Sequence, residues 1–128
     1  MCDKMKLIEI LTPDCTFTDD RGTITQIVHE GYSQVNAVFT KAGKIRGNFH
    51  YHAHTKELFY IIKGKIQFTA KLGGITEEYT FSDGDMFLVN ENVRHTFLYL
   101  EDTYLVGLYT SPVENEDGTK DIIPDEEI

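Results

Sequence analysis

Glycine punctuates this chain at short intervals, at Gly22, Gly31, Gly43, Gly47, Gly64, Gly73, Gly74, Gly84 and Gly107. Between the glycines lie short runs rich in β-branched and aromatic residues. Thr23-Ile24-Thr25-Gln26-Ile27-Val28, Val35-Asn36-Ala37-Val38-Phe39, Leu58-Phe59-Tyr60-Ile61-Ile62 and Tyr104-Leu105-Val106-Gly107-Leu108-Tyr109 are examples. Such side chains pack well on a pleated surface, and glycine supplies the turns between them. Many short strands with regular turn signals read as a sandwich or barrel, and roughly ten strands fit the pattern. No window shows a sustained helical period with caps. Lys63-Gly64-Lys65 and Leu72-Gly73-Gly74-Ile75 read as tight hairpins. Ser82-Asp83-Gly84-Asp85 reads as a turn before another apolar strand.

A length of 128 residues suits one domain with a real core and no need of disulfide staples. Hydrophobic residues make up 41% and charged residues 26%, as in an ordinary soluble globular protein. The net charge of −9 repels nucleic acid and anionic lipid, so neither is expected as a partner, although a local pocket can still be basic. No apolar stretch approaches the roughly 20 residues of a spanning helix. No apolar core of a signal peptide follows Met1-Cys2-Asp3-Lys4-Met5-Lys6. Cys2 and Cys15 fall far outside any ligand spacing and read as free thiols in a reducing cytoplasm. From Glu114 onward the composition turns polar and acidic. The expected organisation is therefore a barrel over residues 1–112 and a loosely attached acidic tail over 113–128. That tail could wrap the barrel or a partner through Ile122, Ile123 and Ile128.

Three of the five histidines crowd into His50-Tyr51-His52-Ala53-His54, followed by Glu57. Alternate side chains of a strand share a face, so His50 and His52 point the same way. Glu57 opens the next strand-like run after a short bend. Two imidazoles and a carboxylate on adjoining strands can converge on one ion. His95, at the start of the apolar run His95-Thr96-Phe97-Leu98-Tyr99-Leu100, supplies a fourth ligand. That set suits zinc, manganese, iron or nickel, and the residues alone do not choose among these divalent metals. His54 is a candidate substrate contact, although the bend toward Glu57 can turn it away. His29 reads as a strand-end surface residue.

These residues carry a family resemblance. The chain resembles the cupin superfamily, whose first motif pairs two histidines one residue apart with a glutamate and then a glycine. Here those are His50, His52, Glu57 and Gly64. The second motif starts with glycine, passes a turn and ends with histidine. Here those are Gly84, the Asn90-Glu91-Asn92 turn and His95. Asn90 and Asn92 stand where proline and glycine are usual, and asparagine tolerates the left-handed backbone such a turn needs. Gly43 and Gly47 straddle the usual place of the first glycine. The resemblance implies an all-β fold, a single double-stranded β-helix or jelly-roll barrel, with a metal on His50, His52, Glu57 and His95.

A closer resemblance lies in the flanking residues. Asp20-Arg21-Gly22 precedes a strand and then Arg46-Gly47-Asn48-Phe49-His50. This is similar to sugar-nucleotide cupins: deoxysugar 3,5-epimerases, 3,4-ketoisomerases and the C-terminal cupin domain of capsular polysaccharide assembly proteins. Lys56-Glu57-Leu58-Phe59 is similar to the last group. The resemblance implies a small-molecule substrate, a sugar or nucleotide sugar. Arginine offers forked donors that match phosphate oxygens, so Arg21 and Arg46 are candidates for binding a diphosphate. Arg21 can equally pair with Asp19 or Asp20 to stabilise its turn. Arg94 neighbours His95 and should face away. Tyr99 shares the inward parity of His95, and Tyr109 lies on the last strand; both are candidate catalytic proton donors or core aromatics. In the metal-free epimerases, the histidine matching His50 serves as base. A ligated imidazole has no lone pair for that task, so the two roles compete.

Three functions stay open. The first is a metal-dependent isomerase or epimerase of polysaccharide or deoxysugar biosynthesis. The second is a non-catalytic carbohydrate-binding cupin, and the third an iron-dependent dioxygenase. Edge-strand pairing, with Met5-Lys6-Leu7-Ile8-Glu9-Ile10-Leu11 added to a partner's sheet, would make a homodimer.

Overall fold

The computed structural model describes residues 7–125. Its strands are β1 (Ile8–Leu11), β2 (Cys15–Asp19), β3 (Gly22–Gln26), β4 (Gln34–Thr40), β5 (Ile45–His50) and β6 (Glu57–Lys63). They continue with β7 (Lys65–Leu72), β8 (Ile75–Ser82), β9 (Met86–Val89), β10 (Arg94–Tyr99) and β11 (Thr103–Tyr109). A five-stranded sheet runs β1-β9-β6-β11-β4, a four-stranded sheet runs β5-β10-β7-β8, and β2-β3 forms a separate ribbon. Every pairing is antiparallel. The fold is the all-β jelly roll. Among the described residues no helix is long and apolar enough to cross a membrane.

Burial patterns follow from what covers each face. On β7, Ile66, Phe68 and Ala70 are buried and alternate with more accessible neighbours. They meet Phe59, Ile61 and Phe87 of the other sheet in the main core. Full burial of each large side chain contributes roughly 1.5–3 kcal/mol. All four residues of β9 are buried instead. Met86 and Leu88 face a second cluster with Leu58 and Leu108, against which Ile27, Val28 and Tyr32 pack. The stretch after β3 therefore covers the outside of the five-stranded sheet, and alternation disappears where both faces are dry.

Lys63-Gly64-Lys65 is not a hairpin. β6 pairs with β9 and β11, whereas β7 pairs with β8 and β10. Gly64 is the corner at which the chain leaves one sheet for the other. Its φ is +129°, and a Cβ there would lie 2.3 Å from Thr103 Oγ1 and 2.7 Å from Thr103 Cα. Glycine at a sharp bend signals both a hairpin and a corner, and only long-range pairing separates them. Leu72-Gly73-Gly74-Ile75 does close a hairpin. Leu72 pairs with Ile75, and φ is +59° at Gly73 and +84° at Gly74, as a two-residue loop with type I′ dihedrals requires.

Residues 113–125 are not a loose tail either. Val113 and Asp121 are buried, and Ile123 forms an antiparallel bridge with Tyr51. Glu114, Glu116 and Asp117 are exposed, while buried anchors, an acidic residue among them, hold the segment to the barrel. Ile128 lies outside the described residues.

Candidate functional site

The ends of three strands meet at one mouth of the barrel. His50, the last residue of β5, stands opposite His95 on β10. Glu57 opens β6 beside Tyr109 of β11. His52 lies in the connection between β5 and β6, and its carbonyl accepts from Asn92 N–H at 2.8 Å. Asn92 has φ +67°, the left-handed turn that asparagine was expected to tolerate.

β5 reaches this point through an irregular step. His50 pairs with His95 and Arg46 with Phe97, so residues 47–49 stand opposite Thr96 alone. Gly47, Asn48 and Phe49 have φ of +94°, +43° and +61°. A Cβ at Gly47 would lie 2.9 Å from the His95 carbonyl oxygen. Left-handed backbone is costly for a bulky residue. The Lys71 ammonium sits 4.8 Å over the Phe49 ring on the outer side. Such bulges bend a strand and re-aim its side chains, and here both Arg46 and His50 line the same cavity.

The structure brings His50, His52, Glu57 and His95 together, with one potential ligand atom from each, all within 4.8 Å of one another. His52 Nε2 lies 2.7 Å and His95 Nε2 3.1 Å from Glu57 Oε1. Despite that proximity, the buried His52 Nε2 and Glu57 Oε1 have no hydrogen bond of sound geometry. Buried polar atoms left in this state are costly unless something satisfies them.

The far sides of two imidazoles are engaged. His95 Nδ1–H donates to the Val93 carbonyl at 2.9 Å. His52 Nδ1–H donates to the Asp121 carbonyl at 2.5 Å. A neutral imidazole with one nitrogen so occupied presents its lone pair on the other. The donor set therefore fits a divalent cation of the zinc, manganese, iron or nickel kind.

Protonation follows from the same crowding. Burial, then the neighbouring His95 and His52, push the His50 imidazolium down to about 4, with Glu57 opposing. Burial would also lower His52, but the Glu57 carboxylate outweighs it and raises that group. Burial works to raise Glu57, yet the His52 and His95 rings hold its carboxyl well below the usual range. Burial, then the Glu57 charge, push the Tyr109 hydroxyl up to about 12. Burial likewise raises Tyr99, against its contacts with Thr40 and Arg46. Both phenols are thus protonated at neutral pH.

The cluster sits in a cavity of about 340 Å³ that Tyr99, Tyr109 and Arg46 also line. Arg46 Nε donates to Thr40 Oγ1 at 2.7 Å, and its Nη2 donates to the Phe39 carbonyl at 3.4 Å. Two predicted substrate residues are elsewhere. Arg21 lies on the exposed β2-β3 turn, where its Nε and Nη2 clasp the Asp19 carboxylate at 3.0 and 2.5 Å. Within this chain it is a turn-stabilising ion pair and does not reach the cavity. His54 is exposed, because its N–H is drawn to Asp121 Oδ2 at 2.9 Å and the bend faces it outward. His29 is a surface residue paired with Asp14. Arg94 stacks 3.7 Å over Tyr51, away from the cavity.

Sequence reasoning gave no site role to several lining residues, among them the polar Gln34 and Asn36 and the C-terminal Val113. The inward parity of β4 could have found Asn36. Nothing in the irregular C-terminal segment marks Val113, whereas Ile122 is one of the residues through which the tail is expected to wrap the barrel.

The profile of the Cupin domain matches residues 38–109, more than half the chain. The chain belongs to the cupin family. No curated protein sequence matches this cupin significantly. Among solved structures it resembles a sugar 3,4-ketoisomerase of Thermoanaerobacterium thermosaccharolyticum in complex with TDP. The TM-score there is 0.79 at 14% identity, covering 97% of this chain and 92% of that one. The TDP-quinovose 3,4-ketoisomerase of Campylobacter jejuni gives 0.80 at 16%, with 96% of each chain covered. The dTDP-4-dehydrorhamnose 3,5-epimerase of Sulfolobus tokodaii gives 0.70 at 18%, covering 88% of this cupin and 80% of that chain. At these identities the likeness is one of fold.

Proposed function

We propose that this cupin is a metal-dependent isomerase or epimerase acting on a sugar or nucleotide sugar, in polysaccharide or deoxysugar biosynthesis. The observation that carries the reading is the convergence of His50, His52, Glu57 and His95 inside a cavity that also holds two protonated tyrosines. The solved ketoisomerases and epimerases of the same fold lend the substrate class. One of them was crystallised with TDP-4-keto-6-deoxyglucose.

Isomerisation and epimerisation beside a ketone share one demand. A proton leaves the carbon next to the carbonyl, and a proton returns to the other face or to the neighbouring position. A bound divalent metal would polarise the carbonyl and favour the charge that develops as the proton departs. His50, His52, Glu57 and His95 would hold it. Tyr109 is the first candidate to deliver the returning proton, with Tyr99 behind it. Arg46 at the cavity wall would orient an anionic group of the substrate.

A second reading, a non-catalytic carbohydrate-binding module, is favoured by one observation. Among the described residues Glu57 is the only carboxylate that lines the cavity, and once it binds a metal none of them offers a free carboxylate as general base.

The test is elemental analysis of protein purified without added metal, followed by NMR of 4-keto nucleotide sugars in deuterated water. The expected result is deuterium at the carbon beside the ketone, lost with chelator and restored with metal. Binding without exchange selects the module. Strict oxygen dependence with inactivity of the zinc form selects the dioxygenase. No exchange with any nucleotide sugar overturns the isomerase reading.

The proposal includes a homodimer and a reducing, cytoplasmic setting that keeps the exposed Cys15 thiol free. β1 and β4 are the edges of the five-stranded sheet, and Ile10 on β1 is 62% exposed. Met5 and Lys6 of the expected pairing run lie outside the described residues. A purely monomeric sedimentation profile at high concentration would remove the dimer.

A further inference from the structure

The three histidines are not aimed by the same means. His95 leans on a carbonyl two residues away in its own stretch of chain, that of Val93. The carbonyl that receives His52 Nδ1–H belongs to Asp121, 69 residues further on. One proposed ligand thus takes its orientation from a remote segment.

That segment is fastened beside His52. The Asp121 carboxylate accepts from Ala53 N–H at 2.8 Å, His54 N–H at 2.9 Å and Thr55 Oγ1 at 3.1 Å. Asp121 N–H donates to the Val113 carbonyl at 2.6 Å. Tyr51 and Ile123 exchange two backbone hydrogen bonds, both 2.9 Å. Further on, Asp125 meets Lys71 at 3.2 Å and Arg94 at 3.9 Å. Asp121 is only 6% exposed. Its carboxylate pins the backbone on the C-terminal side of His52, while its carbonyl holds the ring, so one residue fixes both the position and the rotation of the imidazole.

We propose that Asp121 is a positioning residue for His52: it holds the ring as the Nδ1–H tautomer and turns the Nε2 lone pair toward Glu57, so that the site is complete only when residues 113–125 are docked. This deepens the metal reading above and rests on it for its consequence, although the Nδ1–H hydrogen bond itself can be observed without any ion. Groups that orient a histidine ligand from behind commonly govern affinity by about 10–100-fold.

The experiment uses the full chain with Co²⁺ alone as probe. Chelator competition gives its affinity, visible absorption reports its coordination, and long-range ¹⁵N NMR of the metal-free protein reads the His52 Nδ1–H. Asp121→Ala is expected to weaken Co²⁺ binding about 10–100-fold, to alter the cobalt spectrum and to loosen the His52 Nδ1–H hydrogen bond. Asp121→Asn keeps one acceptor oxygen and is expected to lose less. Asp117→Ala loosens the exposed turn in which Asp117 accepts from Thr119 without touching His52, and is expected to stay within about twofold of the parent protein. A folded Asp121→Ala protein with parental affinity, spectrum and Nδ1–H signal overturns the proposal and leaves the metal reading intact. If Asp121→Ala does not fold, parental behaviour of Asp121→Asn in all three measurements does the same. A parent protein that takes up no Co²⁺ overturns the metal reading. In that case the NMR comparison still decides whether Asp121 holds the His52 Nδ1–H, an unchanged signal overturning it.

Discussion

Two segments are appended to this barrel, and they are attached by opposite means. The β2-β3 ribbon is regular, with a ladder running from Cys15 opposite Gln26 to Asp19 opposite Gly22. Yet nearly all its residues are exposed, Phe17 and Ile24 among them at 54% and 68%. The segment over 113–125 has almost no regular structure, only the bridges Tyr51–Ile123 and Glu114–Lys120. It nevertheless buries Val113 and Asp121 and reaches the histidine cluster. Regularity within a segment and attachment to the body are separate properties. A two-stranded ribbon satisfies its backbone by itself but gains little from packing. An irregular segment must find partners elsewhere, and here the partners lie around His52.

The largest effect that sharpens this contrast belongs to the barrel itself. His95 is held by its own strand, so His95→Ala gives the reference for outright loss of a ligand. Its Co²⁺ affinity should fall on the order of 1,000-fold, beyond the range for orienting groups, as read by chelator competition. Ending the chain after Pro112 removes the hydrogen bonds made to the buried Asp121 carboxylate. Unfolding in urea should show a loss of roughly 3 kcal/mol, given the worth of bonds to charged groups. An unchanged midpoint would place this segment in the same class as the ribbon. Adding metal to the chelator-treated protein at a hundred times its dissociation constant should stabilise it by about 2.7 kcal/mol, seen as a higher melting temperature. That gain should shrink in the shortened chain. The smallest effect is expected from Arg21→Ala, which breaks an exposed pair with Asp19 and should leave the urea midpoint and the deuterium exchange rate unchanged. A lower exchange rate would break the contrast, because the ribbon would then have to reach a cavity, for instance that of a second copy.

Legibility in the sequence tracked the range of the interactions involved. His50 and His52 share a face because of strand alternation, and Glu57 and His95 begin strands that the apolar runs announce. The parity of β10 likewise places His95, Phe97 and Tyr99 on the cavity side. Local signals stop at the first irregular step. His54 obeys the parity of His50 and His52 until Asp121 draws the bend outward. Arg21 sits in a motif that suggests phosphate binding, but where a ribbon lies relative to a cavity is decided by packing far from its own residues. Gly64 announces a turn and not which sheet comes next. Asp121 is one acid among many in a polar stretch, and no periodicity distinguishes it from Asp117, which only serves its own turn.

The separation of 69 residues between His52 and Asp121 also sets an order of events during synthesis. His50, His52 and Glu57 emerge from the ribosome first, with His95 still to come and the carbonyl that will aim His52 later still. A nascent chain would therefore hold most of the cluster while one ring remained free to rotate, and synthesis must pass Asp121 before that ring is locked.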